Sequence, residues 1–234
     1  MPADPRLIVP LDLPTRSEAE AMVERLGDAV SFYKVGLQLL GTDGMAIAAD
    51  LKARGRSVFL DWKLHDIGAT VEKAAAAIAA TGSGDLLTVH AQPQVLRAAV
   101  KGAAGSGLRV LGVTVLTSLS GQDLGEIGYT QPLDVLVERR IRQALDAGAD
   151  GVVASPHEAA LARQIGGKDF LVVTPGVRPD WAGADDQARA ATPAEALANG
   201  ATHLVCGRPI TAASDPRAAA LQIAAEMSGI GMRE

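Results

Sequence analysis

Short apolar runs recur along this chain, and between them apolar residues fall at helical spacing. The first run, Leu7–Leu13 (LIVPLDL), predicts a buried strand that ends at Asp12 and is stopped by Pro14. Helical periodicity then takes over across Thr15–Leu26, where Thr15 with Glu18 three residues on forms a capping box. The alternation repeats to the end of the chain. Further strands are predicted at Phe32–Val35, Val58–Lys63, Leu86–His90, Arg109–Val115, Gly151–Ala154, Phe170–Thr174 and His203–Cys206. Helices are predicted at Met45–Arg54, Thr70–Ala80, Gln94–Gly102, from the end of a polar loop (Thr117–Gln131) to about Asp146, after Pro156, at Thr192–Asn199 and at Asp215–Met227. Pro193 lies in the first turn of the Thr192–Asn199 helix and Gly200 follows its end.

Eight strands thus alternate with helices, with no linker or break in composition. The pattern predicts α/β class and a single (βα)8 TIM barrel over residues 1–234. A doubly wound open sheet is the alternative. Against it, no glycine-rich dinucleotide fingerprint follows the first strand.

Composition narrows the picture. Apolar residues make up 48% of the chain, enough for one large core, but aromatics only 3%, so Ala, Val, Leu and Ile must build it. A net charge of −5 with no basic cluster argues against nucleic acid as a main partner. No apolar run approaches membrane-spanning length, and Met1–Arg6 is too short and polar for a signal peptide. The single cysteine, Cys206, has no internal disulfide partner and reads as a packed strand thiol. These features predict a reducing cytoplasm.

Charged residues fall repeatedly at the strand ends, where a barrel carries its chemistry. Asp12 ends the first strand, Lys34 lies on the second, and Asp61 and Lys63 end the third. Two residues apart in an extended chain, Asp61 and Lys63 share a face. Burying an unpaired charge is costly. Any one of these residues has a bland explanation as a paired strand-end charge; four converging on one mouth point to a site. Asp66 lies past the strand end and need not face the same way.

On the far side of the mouth, Gly207-Arg208 follows the eighth strand, and Gly176 and Arg178 follow the seventh. Barrels frequently bind phosphate there, and the arginine fork matches phosphate oxygens. The Pro175–Ala191 loop exceeds the usual connection length and is expected to act as a lid over about residues 176–191. Gln187 within it could reach an anion on closure, although spacing alone favours a solvated loop residue. His65 reads as a packing or hydrogen-bonding residue; His90, ending the fourth strand, could line the mouth but reads first as structural; His157 and His203 lack metal-ligand spacing with any partner. Trp62 is expected to point away from Asp61 and Lys63, into the layer between barrel and helices, and Trp181 to lie at the surface or against the lid.

Taken together, these motifs are similar to those of the orotidine 5′-phosphate decarboxylase family, nearly end to end. The family's Asp-x-Lys-x-x-Asp signature stands as Asp61, Lys63 and Asp66 within DWKLHDI. Asp12, Lys34 in YKVG, VTVLTS (Val113–Ser118), TPGVRP (Thr174–Pro179), the DDQAR stretch around Gln187 and Gly207-Arg208-Pro209 match as well. One departure follows the signature: family members often read HDIPNT, where this chain reads HDIGAT, so Gly68 and Ala69 replace Pro and Asn while Thr70 is kept.

The resemblance implies loss of CO2 from C6 of the orotate ring of orotidine 5′-phosphate, giving UMP, with no metal, cofactor or covalent intermediate. It implies that Lys63 supplies a cation and then a proton to C6, and that Asp61 opposes the departing carboxylate. Lys34 and Asp66 would complete an alternating array. Asp12 would bind a ribose hydroxyl beside Lys34, and Thr117 and Ser118 would border the pyrimidine. Pro175, Arg178, Gln187, Gly207 and Arg208 would serve the phosphate side. Asp66, Ile67 and Thr70 would enter the partner subunit's site, which implies a homodimer with two composite sites. The nearest alternative is a metal-dependent sugar-phosphate decarboxylase or aldolase of the same superfamily. Those enzymes carry an acid at the second-strand position, where Lys34 would oppose a metal ion. A catalytically silent nucleotide-binding barrel is the other alternative, and intact Asp61 and Lys63 argue against it.

Overall fold

Each predicted apolar run is a strand, and the strands bury one face inside a ring and the other beneath helices. The computed structural model describes residues 3–182 and 191–229. The strands are β1 (Leu7–Pro10), β2 (Phe32–Gly36), β3 (Ser57–Leu64), β4 (Leu86–His90), β5 (Arg109–Val113), β6 (Gly151–Val153), β7 (Leu171–Pro175) and β8 (His203–Val205). All pair in parallel, in chain order, and β8 closes on β1 through Leu7↔Leu204 and Ile8↔Val205. Closure excludes the open doubly wound sheet. It also corrects one expectation: β8 borders β1, so Gly207 is adjacent to the Asp12 end of the mouth rather than across from it.

The helices are α1 (Arg16–Leu26), α2 (Leu37–Leu40), α3 (Gly44–Ala53), α4 (Gly68–Thr81), α5 (Pro93–Ala103), α6 (Gly121–Ile127), α7 (Leu133–Asp146), α8 (Ala159–Gly166), α9 (Pro193–Ala198), α10 (Arg208–Thr211) and α11 (Pro216–Met227). The capping box predicted for α1 is formed: Thr15 Oγ1 accepts from Glu18 N–H, and the Glu18 carboxylate accepts from Thr15 N–H at 3.1 Å. The polar loop Thr117–Gln131 is not all loop, because α6 forms within it. There Ser120 and Asp123 make a second capping box, and Gly128 ends the helix in the left-handed region.

The first strand ends at Pro10, two residues before Asp12. The chain still runs beside β2 for one more residue, since Leu11 N–H donates to the Lys34 carbonyl at 2.9 Å. This places Asp12 on the rim rather than inside the sheet.

Inside the ring, Ile8, Phe32, Phe59, Leu86, Leu111, Val173 and Val205 pack with Val153 and Leu171 into a plug to which every strand contributes. The alternate residues face outward. Val58, Leu60 and Trp62 therefore join the layer under the helices, where Trp62 was expected. Each large side chain so buried contributes roughly 1.5–3 kcal/mol relative to exposure. α4 and α5 pack unusually close, because Gly102 faces the Glu72 carbonyl and a Cβ at that position would collide with it.

Candidate active site

The plug fills the lower barrel and leaves a cavity of about 500 Å3 at the C-terminal mouth. Phe59, Val153 and Val205 belong to both, so the top of the plug is the cavity floor. On one side the cavity is lined by Asp12, Lys34, Asp61 and Lys63. Thr117 lines it after β5, and Pro175, Arg178, Gly207 and Arg208 line it after β7 and β8. The closed strand order brings these residues to one end of the barrel from distant parts of the sequence.

The four charges form a row of alternating sign. Lys34 Nζ donates to Asp12 Oδ1 at 2.9 Å and Oδ2 at 3.0 Å, and lies 3.3 Å from Asp61 Oδ2. Lys63 Nζ donates to Asp61 Oδ1 at 2.8 Å. Gly36 lets β2 pass beside this row. A Cβ there would collide with Asp12 Oδ1 and stand 2.8 Å from Lys34 Nζ.

Asp61 is the buried centre of the row. Burial pushes its pKa up. The ammoniums of Lys34 and Lys63, with hydrogen bonds from Lys63 and Thr88, outweigh that and hold the carboxyl below its ordinary 3.8. Asp61 is therefore an anion at neutral pH, held by donors on three strands.

β3 departs from regular geometry where it carries this chemistry. Its pairing with β4 runs Leu60↔Leu87 and then Leu64↔Val89, so Asp61, Trp62 and Lys63 stand opposite Thr88 alone. Lys63 has φ of 49°, the positive value among non-glycine residues described. Both Asp61 and Lys63 still reach the cavity, as their spacing predicts, but the chain between them is bulged rather than extended. Thr88 Oγ1 accepts from Lys63 N–H at 3.0 Å and donates to Asp61 Oδ1 at 3.0 Å. Nothing in the sequence singles out Thr88 except a hydroxyl at an inward position of an otherwise apolar strand.

Asp66, Ile67, Thr70 and Ser118 do not line this cavity. Asp66 is exposed, makes no ion pair among the described residues, and accepts from Ile67 N–H at 2.6 Å. Ile67 is 71% exposed and Thr70 is also exposed. Ser118 points to solvent beyond Thr117. Gln187 lies outside the described residues, as does half of the expected lid, residues 183–190. The base of that loop is pinned: Val177 bridges Ala191, and Arg178 N–H donates to the Ala191 carbonyl at 2.9 Å. The Arg178 guanidinium donates to the Ala182 carbonyl at 2.9 Å. Trp181 is partly exposed and donates to Glu226 at 2.7 Å. His65 and His90 lie ring to ring at 5.0 Å beside the mouth. Burial, then His65, Lys63 and Arg140, lower the pKa of His90.

Fold and charge row define a (βα)8-barrel enzyme whose mouth joins paired carboxylates and ammoniums to an arginine-bearing end. The family model for the Orotidine 5'-phosphate decarboxylase / HUMPS family matches residues 5–223. An orotidine 5'-phosphate decarboxylase of Caulobacter vibrioides is 68% identical over 234 residues, covering 98% of this chain and 100% of the relative. One from a Caulobacter sp. is 68% identical over 230 residues, covering 98% and 100%. The crystal structure of orotidine 5'-phosphate decarboxylase from Lactobacillus acidophilus superposes with a TM-score of 0.84 at 39% identity, covering 96% of this chain and 99% of that one. The chain belongs to the Orotidine 5'-phosphate decarboxylase / HUMPS family.

Proposed function

We propose that this enzyme removes the C6 carboxylate of orotidine 5′-phosphate as CO2, giving UMP in pyrimidine biosynthesis, with no cofactor. The observation that carries this reading is Asp61, ionised and buried between two ammoniums in the wall of a cavity that two arginines also line. At about 500 Å3 the cavity falls within the range usual for small-molecule sites.

The chemistry follows from the row. A substrate carboxylate set against Asp61 meets a fixed like charge. As the C6–carboxylate bond breaks, that repulsion disappears with neutral CO2. The electron pair left on C6 is then attracted by the Lys63 ammonium. This interaction strengthens along the reaction, which is the requirement for catalysis. The Nζ proton passes to C6, and water restores the proton to Lys63. Lys34, held by Asp12 and Asp61, keeps its charge in place throughout. Asp12 with Lys34 would meet the ribose, Thr117 and Ser118 the pyrimidine, and Pro175, Arg178, Gly207 and Arg208 the phosphate, with Gln187 from a closing lid at about 176–191.

Asp66, Ile67 and Thr70 are read as elements given to a second copy of the chain. All three are exposed just past β3, and an isoleucine 71% exposed beside a catalytic mouth suits an interface. The enzyme would then be a homodimer with two composite sites. Among the described residues no helix is long and apolar enough to cross a membrane, and a cytoplasmic location fits the pathway. Against a metal-dependent sugar-phosphate enzyme, Lys34 puts an ammonium between the carboxylates of Asp12 and Asp61, where a divalent ion would otherwise bind.

The test is loss of orotate absorbance on adding orotidine 5′-phosphate to purified protein, with and without chelator. Chelator-insensitive loss is expected. Chelator-sensitive turnover of a sugar phosphate would instead favour the metal-dependent relatives, and tight UMP binding without turnover would favour a sensor.

A further inference from the structure

The bulge in β3 poses a structural problem. Three residues opposite one lengthen the strand locally, and Lys63 absorbs the excess at φ of 49°. For a residue with a side chain that conformation is strained, and it persists only where its surroundings hold it. It also takes the Lys63 N–H out of the regular ladder.

Thr88 answers both needs with one atom. Its Oγ1 accepts from Lys63 N–H at 3.0 Å and donates to Asp61 Oδ1 at 3.0 Å. The same Asp61 oxygen receives Lys63 Nζ at 2.8 Å. The three hydrogen bonds close a circuit from the Lys63 backbone, through Thr88 and Asp61, to the tip of the Lys63 side chain. Thr88 has 0% exposure, so solvent does not replace its hydroxyl. It does not line the cavity, so it acts on Asp61 and Lys63 and not on a ligand.

We propose that Thr88 is a positioning residue for the decarboxylation: its hydroxyl fixes the Lys63 turn and the Asp61 carboxylate so that the ammonium stands against the reacting carbon. This rests on the roles given above to Asp61 and Lys63. An isosteric side chain without the hydroxyl leaves a buried N–H unpaired and takes one donor from the carboxylate. Asp61 is faced by Lys34 from β2, with Asp12 beyond it, by Lys63 on its own strand and by Thr88 from β4; His90 stands further along β4. Removing the Thr88 donor raises the pKa of Asp61 while those charges remain.

The test compares wild type with Thr88→Val, Thr88→Ser and Thr88→Cys, reading kcat, KM and the acid limb of the kcat profile. Thr88→Val is expected to lower kcat about 10- to 100-fold. Its KM should stay within about twofold, since the hydroxyl does not reach the cavity. Its acid limb should move to higher pH. Thr88→Ser should restore both kcat and the limb. Wild-type kcat and limb in Thr88→Val would overturn the proposal, as would Thr88→Ser impaired as badly as a folded Thr88→Val. Should Thr88→Val not fold, Thr88→Cys carries the test through its weak donor: kcat below that of Thr88→Ser is expected, and equal values overturn the proposal. A wild type that does not decarboxylate orotidine 5′-phosphate defeats the functional reading itself. A wild type that does, matched by Thr88→Val, defeats only the role of Thr88.

Discussion

Asp61 and Lys63 are joined by a 2.8 Å ion pair, with only Trp62 between them in sequence and Trp62 pointing to the other side of the sheet. The same side chain thus holds the acid and is held by it. Lys63→Ala is expected to lower turnover by more than about 10,000-fold, because a cation and a proton donor are lost together. The barrel and UMP affinity should survive, since the plug and the arginine side are untouched. Stopped assays with UMP titration check this, and near-normal turnover would refute the role of Lys63.

Asp66 stands outside its own chain's cavity, so its contribution is separable from that of Lys63. Asp66→Ala and Lys63→Ala subunits should each be inactive alone. On mixing they should regain part of the activity if the proposed homodimer forms, because a hybrid would hold one site with both residues intact. Subunit exchange is followed by mass-tagged chains; proven exchange without recovery rules out a shared site.

Gly36→Ala places a methyl group against the Asp12–Lys34 pair. Overpacking of this kind costs about 1–3 kcal/mol. A drop in urea midpoint is expected together with weaker nucleotide binding, since Lys34 must move from Asp12. Unchanged stability and unchanged affinity would mean that the pair relaxes freely.

At the other end of the barrel, His203 packs edge-on to Phe32 at 5.8 Å, with Nδ1 at 3.0 Å from Thr202 Oγ1. Burial, then Arg109, lower its pKa from 6.5 to about 4. The unfolded chain therefore takes up this proton first as pH falls. The stability from neutral His203 is complete above 6.5 and is lost as pH falls toward about 4. The shift corresponds to roughly 3 kcal/mol. His203→Gln should lose less stability than wild type over that interval by about this amount, as read from urea unfolding. Parallel losses in the two proteins would assign the acid sensitivity elsewhere.

The barrel was legible because its apolar runs and helical stretches alternate without interruption. Thr15 with Glu18 marked the start of α1 as the structure has it. The Asp61-x-Lys63 spacing was legible for the same reason, since alternation in a strand fixes which side chains share a face. Some helices of only one or two turns were not legible. α2 has four residues, and α6 hides in a polar loop whose only signal is Ser120 with Asp123. The bulge was also out of reach, because it depends on how β3 meets β4 rather than on β3 itself. Thr88 shares that fate: its partners lie 25 and 27 positions earlier in the chain.

Ring closure has a consequence for biosynthesis of the molecule. The seam between β1 and β8 rests on two residue pairs, and its second half is supplied by Leu204 and Val205 near the end of the chain. A nascent polypeptide still lacking those residues can already hold Asp12, Lys34, Asp61 and Lys63, but it has an open edge along β1 and no Arg208. The mouth itself is completed only when the last strand docks against the first and brings Arg208 to the charged rim.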